Sequence, residues 1–399
     1  MPTPRRPTYP LAHSFRTKPR RLPLVLRFTR GSIHHLLLAP VILHSLLTAL
    51  VVYLDTFVFA SLGLPGTIIP SLSIVVGLML VFRNGTSYDR FWTGRNCLTT
   101  ISTSVRNLAR IALVNAKAGE SGGGKANGSG ELSDEEKRDT EKILRVLVAI
   151  LYAVKHNLRA EFNIPPASLA SLPPPASPFG SRSQPISRRP SYTDHSPNDP
   201  NENGNENLDT ENGVETAKSE YTSLLPEGLM GYEDQGLSLP LQLSVLIEGY
   251  IRRGFDRGWF HAPLASQMTV QINSLVDAYG RMETIRSTPI PVAHLIHQKQ
   301  VLALFLIFLP LGIVDDYGWY SIPIVAIVSF TLYGIEGIGQ QLEDPFGYDK
   351  NDIKMDGIIE DTRREVMVML DEWVAVRGGG GRGVRWDQVG GRGLGGMFQ

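Results

Sequence analysis

From Ile33 to Leu54 the chain carries no Asp, Glu, Lys or Arg, and after Asp55 a second charge-free stretch runs through Leu62 to Phe82. Each is about twenty residues, and at about 1.5 Å per residue each can cross roughly 30 Å of hydrocarbon as a helix. A second pair, Val301 to Val314 and Trp319 to Ile335, is shorter at 14 and 17 residues and is separated by Asp315-Asp316-Tyr317-Gly318, which reads as a turn. Taken alone, that pair fits a buried soluble hairpin as well as a membrane hairpin. Beside the first pair, four spans are expected.

Flanking charge sets the expected orientation. Residues 1–31 hold Arg5, Arg6, Arg16, Lys18, Arg20, Arg21, Arg27 and Arg30 with no acid, and the link between the first two spans has no basic residue. The positive-inside tendency then puts the N-terminus in the cytosol. Arg83, Arg90 and Arg95 return the chain to that side after the second span, so both termini are expected to be cytosolic, with the plasma membrane as the expected location and an organelle membrane as the alternative. The basic, acid-free start also fits a mitochondrial transit peptide or a tail drawn to anionic membrane lipid.

The expected domain plan follows from these segments. Residues 1–31 form a basic arm, 32–83 the first two spans, 84–298 a cytosolic helical domain, 299–336 the last two spans, 337–376 an acidic cytosolic segment and 377–399 a disordered Gly/Arg-rich tail. Apolar residues recur at helical spacing over Ser87 to Val114, Glu141 to Phe162, Leu237 to Phe255 and Leu264 to Ile285. Two inserts interrupt the helical domain: the Gly-rich stretch 119–130 and the Pro-, Ser-, Asn- and Glu-dominated stretch 165–236, neither apolar enough to fold alone. Arg188-Arg189-Pro190-Ser191 has the form of a basophilic kinase site, a form that chance also produces in an Arg/Ser-rich segment.

Composition removes several function classes. With 39 basic and 39 acidic residues the formal net charge is zero, and there is one cysteine, which argues against a disulfide framework, a cysteine-ligated zinc module and a nucleic-acid partner. No phosphate loop, dinucleotide fingerprint or nucleophile-base-orienter arrangement is present, so an enzyme is not expected. His34, His35 and His44 near the first span, and His294 with His297 before the third, lack the further ligands of a metal site. Cys97 reads as packing, and the sequons at Asn84 and Asn127 fall on the expected cytosolic side.

Two patterns remain. Ile74, Leu78 and Phe82 recur at i, i+4 and i+8 and therefore stack on one face of the second span. Ordinary packing against a neighbouring helix explains such a stripe, and so does a ring of subunits that gathers the stripes into a hydrophobic constriction. The acids Glu336, Glu343, Asp344, Asp349 and Asp352 surround the turn-forming Pro345-Phe346-Gly347. They suit either charge pairing with the basic arm or oxygen ligation of a hard cation.

Arg30-Gly31-Ser32-Ile33, SYDRFWTGR (Ser87 to Arg95), RSTPIP (Arg286 to Pro291), LPLGIVDDYGW (Leu309 to Trp319) and EDPFGYDKND (Glu343 to Asp352) together resemble the bestrophins, especially their bacterial, fungal and plant-type branch. The resemblance implies an all-α membrane protein with four transmembrane helices and a cytosolic helical domain, assembled as a homopentameric, chloride-conducting channel. It places the pore neck at Ile74, Leu78 and Phe82 and a second, cytosolic aperture near Pro263 and Leu264. Arg83, Arg90 and Arg95 would concentrate anions behind the neck, and chloride, large and weakly hydrated, would face the positive edge of the Phe82 ring. Calcium as a regulator is implied at Gln341, Asp344, Asp349 and Asp352, although Lys350 and Asn351 interrupt the run of acids that animal members carry. Competing readings are a non-conducting membrane scaffold and an anion-coupled transporter.

Overall fold

The computed structural model describes residues 34–58, 62–116, 133–161, 224–226, 229, 231–349 and 351–377. The basic arm with Arg30-Gly31-Ser32-Ile33, the 119–130 insert, most of the 165–236 insert including Arg188 to Ser191, and the tail after Arg377 lie outside those residues. Within them the chain forms α1 (His34–Phe57), α2 (Ile68–Asn115), α3 (Asp134–Leu158), α4 (Leu239–Asp256), α5 (Ala262–Ser287), α6 (Val292–Tyr317), α7 (Ser321–Glu343) and α8 (Met355–Arg377).

The second span and the helix expected after it are one element. α2 is 48 residues long, about 72 Å at 1.5 Å per residue, more than twice the hydrocarbon thickness. Arg83-Asn84-Gly85-Thr86 marks a boundary in composition but contains no proline, and a single helical glycine costs only about 1 kcal/mol. Packed neighbours on both sides of that point outweigh it. α2 therefore belongs to two cores at once.

In the upper core, Val76 and Leu80 of α2 meet Leu302, Phe305, Leu306 and Leu309 of α6 and Val325 of α7. The lower core joins Leu98, Ile101, Val105 and Leu108 of α2 to α3, α4, α5 and α8. α3 is its centre. Val146 to Leu151 are all buried, so this helix is covered on every side at that level. Its start is a capping box, in which the Ser133 N–H donates to the Glu136 carboxylate at 2.9 Å.

The last two apolar runs extend beyond their charge-free lengths into helices of 26 and 23 residues. Asp315 and Asp316 lie in the final turn of α6 rather than in a loop, and the chain reverses at Gly318, where φ is 50°. Lys299 Nζ lies 3.7 Å from Glu336 Oε1, which closes α6 and α7 as an antiparallel hairpin. Three stretches are long and apolar enough to cross a membrane: Leu37–Phe57, Ile69–Asn115 and Val292–Glu343, the third holding both arms of the hairpin.

One expected boundary shifts. Leu224, inside the 165–236 stretch, is buried in the lower core, and a 3-10 turn forms at Glu233–Gln235. An apolar pair, Leu224-Leu225, provides the anchor that polar composition conceals. The segment 337–376 is also not a free acidic surface. Its helix α8 buries Ile359, Val366 and Leu370, and the Trp373 indole N–H donates to Leu113 O at 3.0 Å. Its acids pair internally, Asp356 with Lys155 at 2.8 Å and Glu360 with Arg363 and Arg364.

Gly254 and Gly258 shape the turn between α4 and α5. A Cβ at Gly254 would lie 2.3 Å from the Phe260 ring, whereas one at Gly280, inside α5, would meet nothing within 4 Å. Gly254→Val should therefore lower stability by about 1–3 kcal/mol through overpacking, and Gly280→Ala should raise it by about 0.5–1 kcal/mol. Thermal unfolding of the detergent-solubilised protein measures both.

Candidate functional site

α2 carries two unlike faces through its upper half. Val76 and Leu80 are 2% exposed, while Ile74, Leu78 and Phe82 are 70%, 54% and 64% exposed. Nothing in the single chain covers these three large side chains, and Val75 and Val81 flank them, also exposed. They span about 12 Å along the helix axis. Below them the same face turns polar, with Thr86, Asp89, Thr93 and Asn96 all exposed.

α5 runs antiparallel to the lower half of α2. Asn107 Nδ2 donates to Gln271 Oε1 at 3.2 Å, and an Arg90 Nη donates to Ile285 O at 2.6 Å. This register sets Pro263 and Leu264, in the first turn of α5, beside the last turns of α2, about 50 Å along it from Phe82. Pro263 is exposed, and Leu264 is half-buried against the lower core.

Two of the three basic residues expected to gather anions behind the neck are placed differently. Arg83 is 3% exposed and lies 3.4 Å from Glu336 and 3.6 Å from Glu343, so its charge is neutralised inside the subunit. Arg90 donates to three carbonyl oxygens, those of Glu343, Thr288 and Ile285 at 3.0, 2.8 and 2.6 Å. It ties α2 to the ends of α5 and α7. Both corrections have one cause: these side chains leave α2 on the face that packs against α7 and α5. Arg95 is half-buried and donates to the Thr99 hydroxyl.

Behind α2 three of the four implied calcium side chains, those of Gln341, Asp344 and Asp352, are engaged by protein groups. Gln341 Oε1 accepts from Asn351 Nδ2 at 2.6 Å, and Asp344 faces Arg286 at 3.5 Å. Asp352 is buried and accepts from the Asp349 N–H at 2.8 Å. Burial pushes the Asp352 carboxyl above its usual range, and the nearby Asp349 and Asp344 charges add to the shift. Among the described residues no group of three or more His, Cys, Asp or Glu side chains is gathered as a metal site.

Arg159, at the end of α3, holds this loop, a role that its sequence position does not announce. It donates to Phe346 O at 3.1 Å and Gly347 O at 3.2 Å, stacks 3.9 Å over the Tyr348 ring, and pairs with Asp356. Tyr348 in turn donates to Glu161. An arginine after a helix usually reads as a favourable C-terminal charge, and only the packing reveals its partner. The loop then meets α2 at Gly94, where a Cβ would lie 2.8 Å from the Phe346 ring. SYDRFWTGR, RSTPIP and EDPFGYDKND thus converge on one junction.

The remaining candidates are structural. His44 Nε2 lies 3.1 Å from the Tyr333 hydroxyl and joins α1 to α7, Cys97 is buried in the lower core, and His294 and His297 are exposed. The side chains of His34 and His35 and the sequon at Asn127 lie outside the described residues.

Residues 13–368 match the family model described as bacterial/fungal bestrophin protein. A voltage-dependent anion channel-forming protein of Synechocystis sp. is 31% identical over 316 residues, covering 78% of this chain and 80% of the relative. A protein of the same name from Nostoc sp. is 31% identical over 301 residues, covering 75% and 76%. Among solved structures, a bacterial bestrophin homolog from Klebsiella pneumoniae shares the fold with a TM-score of 0.59 at 20% identity, covering 84% of this chain and 98% of that one. The helical order, the converging motifs and the family match over most of its length agree: the chain belongs to the bestrophin family.

Proposed function

We propose that the protein is an integral membrane anion channel, in which five copies gather their α2 helices around one axial pathway and conduct chloride passively. The observation that carries this reading is the stripe of Ile74, Leu78 and Phe82, large and uncovered on a helix whose opposite face is buried. In a ring of subunits those side chains form a short apolar neck, and a neck without fixed charge favours a weakly hydrated anion over a strongly hydrated cation. The names of the cyanobacterial relatives support the anion. In the same reading the four spans are α1, the upper half of α2, α6 and α7, with both termini cytosolic, and Pro263 and Leu264 border the lower exit.

Chloride efflux from liposomes containing the purified protein tests this. Ile74→Ala, Leu78→Ala and Phe82→Ala together widen the neck and should raise efflux at least threefold while the oligomer mass in detergent stays the same. An intact assembly whose efflux ignores the triple substitution would leave the scaffold reading in its place. Slow, saturating efflux without single-channel steps would mark a transporter.

The loop behind α2 is held in this proposal by Arg159 rather than by a metal ion. Calcium chelation should therefore leave efflux within twofold of its value in calcium. Arg159→Ala removes charged hydrogen bonds of about 1.5–3 kcal/mol and should speed amide hydrogen exchange at residues 346–349 by tenfold or more. Efflux that collapses on chelation would restore calcium to the site.

A further inference from the structure

Arg83 follows Phe82 directly, so one turn of α2 points an exposed ring to one side and a buried guanidinium to another. The guanidinium lies between two carboxylates of α7, Glu336 and Glu343, at 3.4 and 3.6 Å. Its stem crosses Gly339, where a Cβ would sit 3.3 Å from Arg83 Nε. Lys299 of α6 approaches the same Glu336 oxygen, Oε1, at 3.7 Å. Two cations and two carboxylates therefore meet where α2, α6 and α7 pack at the lower edge of the upper core.

The contacts are looser than N–H···O hydrogen bonds, which fall at about 2.7–3.2 Å. Buried polar atoms with no hydrogen-bond partner among the described residues collect at the same level: Arg83 Nε and Nη1, Ser87 Oγ one turn below, Glu336 Oε1, and both amide atoms of Gln298. Gln298 is 2% exposed and Ser87 is fully buried. Gln298 precedes Lys299 and lies one turn before Leu302, which packs with Leu80, so it sits level with Arg83. Unmet buried groups of this kind cost about 1–3 kcal/mol each unless something bridges them. Donors and acceptors occur together and the charges balance, which selects water over an ion of either sign.

We propose that Arg83, Glu336, Glu343, Gln298 and Ser87 form a water-completed charge lock that positions the Phe82 turn of the neck against α7. The proposal rests on the reading of Ile74, Leu78 and Phe82 as the neck, and assigns Arg83 as a positioning residue that does not itself touch the permeating ion. Removing one partner of a buried pair strands the other, so either loss should release the same turn. Two losses within one unit should not add.

Efflux and the thiocyanate-to-chloride permeability ratio of the full-length protein in liposomes test the lock, because the ratio reads neck width and a purely structural role would leave it unmoved. Arg83→Gln and Glu336→Gln should each change the ratio at least twofold, in the direction that Phe82→Ala changes it, and the double variant should match the larger single change. Arg83→Lys should stay within twofold of the unmodified protein. Should Arg83→Gln fail to assemble, Glu343→Gln and Lys299→Met carry the test, with shifts of about 1.5-fold in the same direction. An electron cryo-microscopy map that shows ordered water should place it within hydrogen-bond reach of Arg83 Nε and the Gln298 amide. Unchanged ratios in assembled variants, additive singles, or a dry pocket would overturn the lock. If Phe82→Ala moves the ratio and the lock variants do not, the neck stands and the lock falls. If neither moves it, the neck itself falls.

Discussion

The continuity of α2 is the constraint on which the other features depend. A helix of 48 residues with the upper core on one half and the lower core on the other leaves little room for either half to move alone. Its apolar stripe is exposed because the opposite face is fully used: Val76 and Leu80 by the α6–α7 hairpin, Leu98 to Leu108 by the helices below. Exposure of Ile74, Leu78 and Phe82 is thus a by-product of packing elsewhere, and no strain is needed to hold them outward.

Charge is distributed by the same division. A net charge of zero suggests nothing in particular, yet Arg83 and Arg90 of α2 point inward to carboxylates and carbonyl oxygens, leaving Asp89 with hydroxyl and amide groups on the face below the stripe. In the proposed channel Thr86, Thr93 and Asn96 offer donors on that face beside the single carboxylate of Asp89. Several acids of the last segment, Glu343 and Asp356 among them, pair with Arg83, Arg159 and Lys155.

Much of this was legible in the residues. The charge-free runs located the membrane-level helices, and the i, i+4, i+8 spacing found the stripe, because periodicity is a local property that survives without the fold. The converging motifs could be listed but not joined: nothing in SYDRFWTGR says that Gly94 is small to admit Phe346, or that Arg90 caps two other helices. Arg83 was misleading for a related reason. A lone arginine at the end of an apolar run looks like a lipid-facing or pore-facing charge until Glu336, far along the chain, is brought beside it. Arg159 and Leu224 were passed over because each gains its meaning from a partner distant in sequence.

Gly94 is a point of close contact on α2. The Phe346 ring fills the space that a side chain would occupy there, so the helix rests against the Arg159-held loop at a point about 18 Å below Phe82 and about 30 Å below Ile74. A tilt of about 5° about that point carries Phe82 by roughly 1.6 Å and Ile74 by roughly 2.6 Å, by the lever arm of a rigid rod with 1.5 Å of rise per residue. Any small displacement at that contact would thereby be larger at Ile74 than at Phe82, so the bulkiest side chain of the stripe would move least.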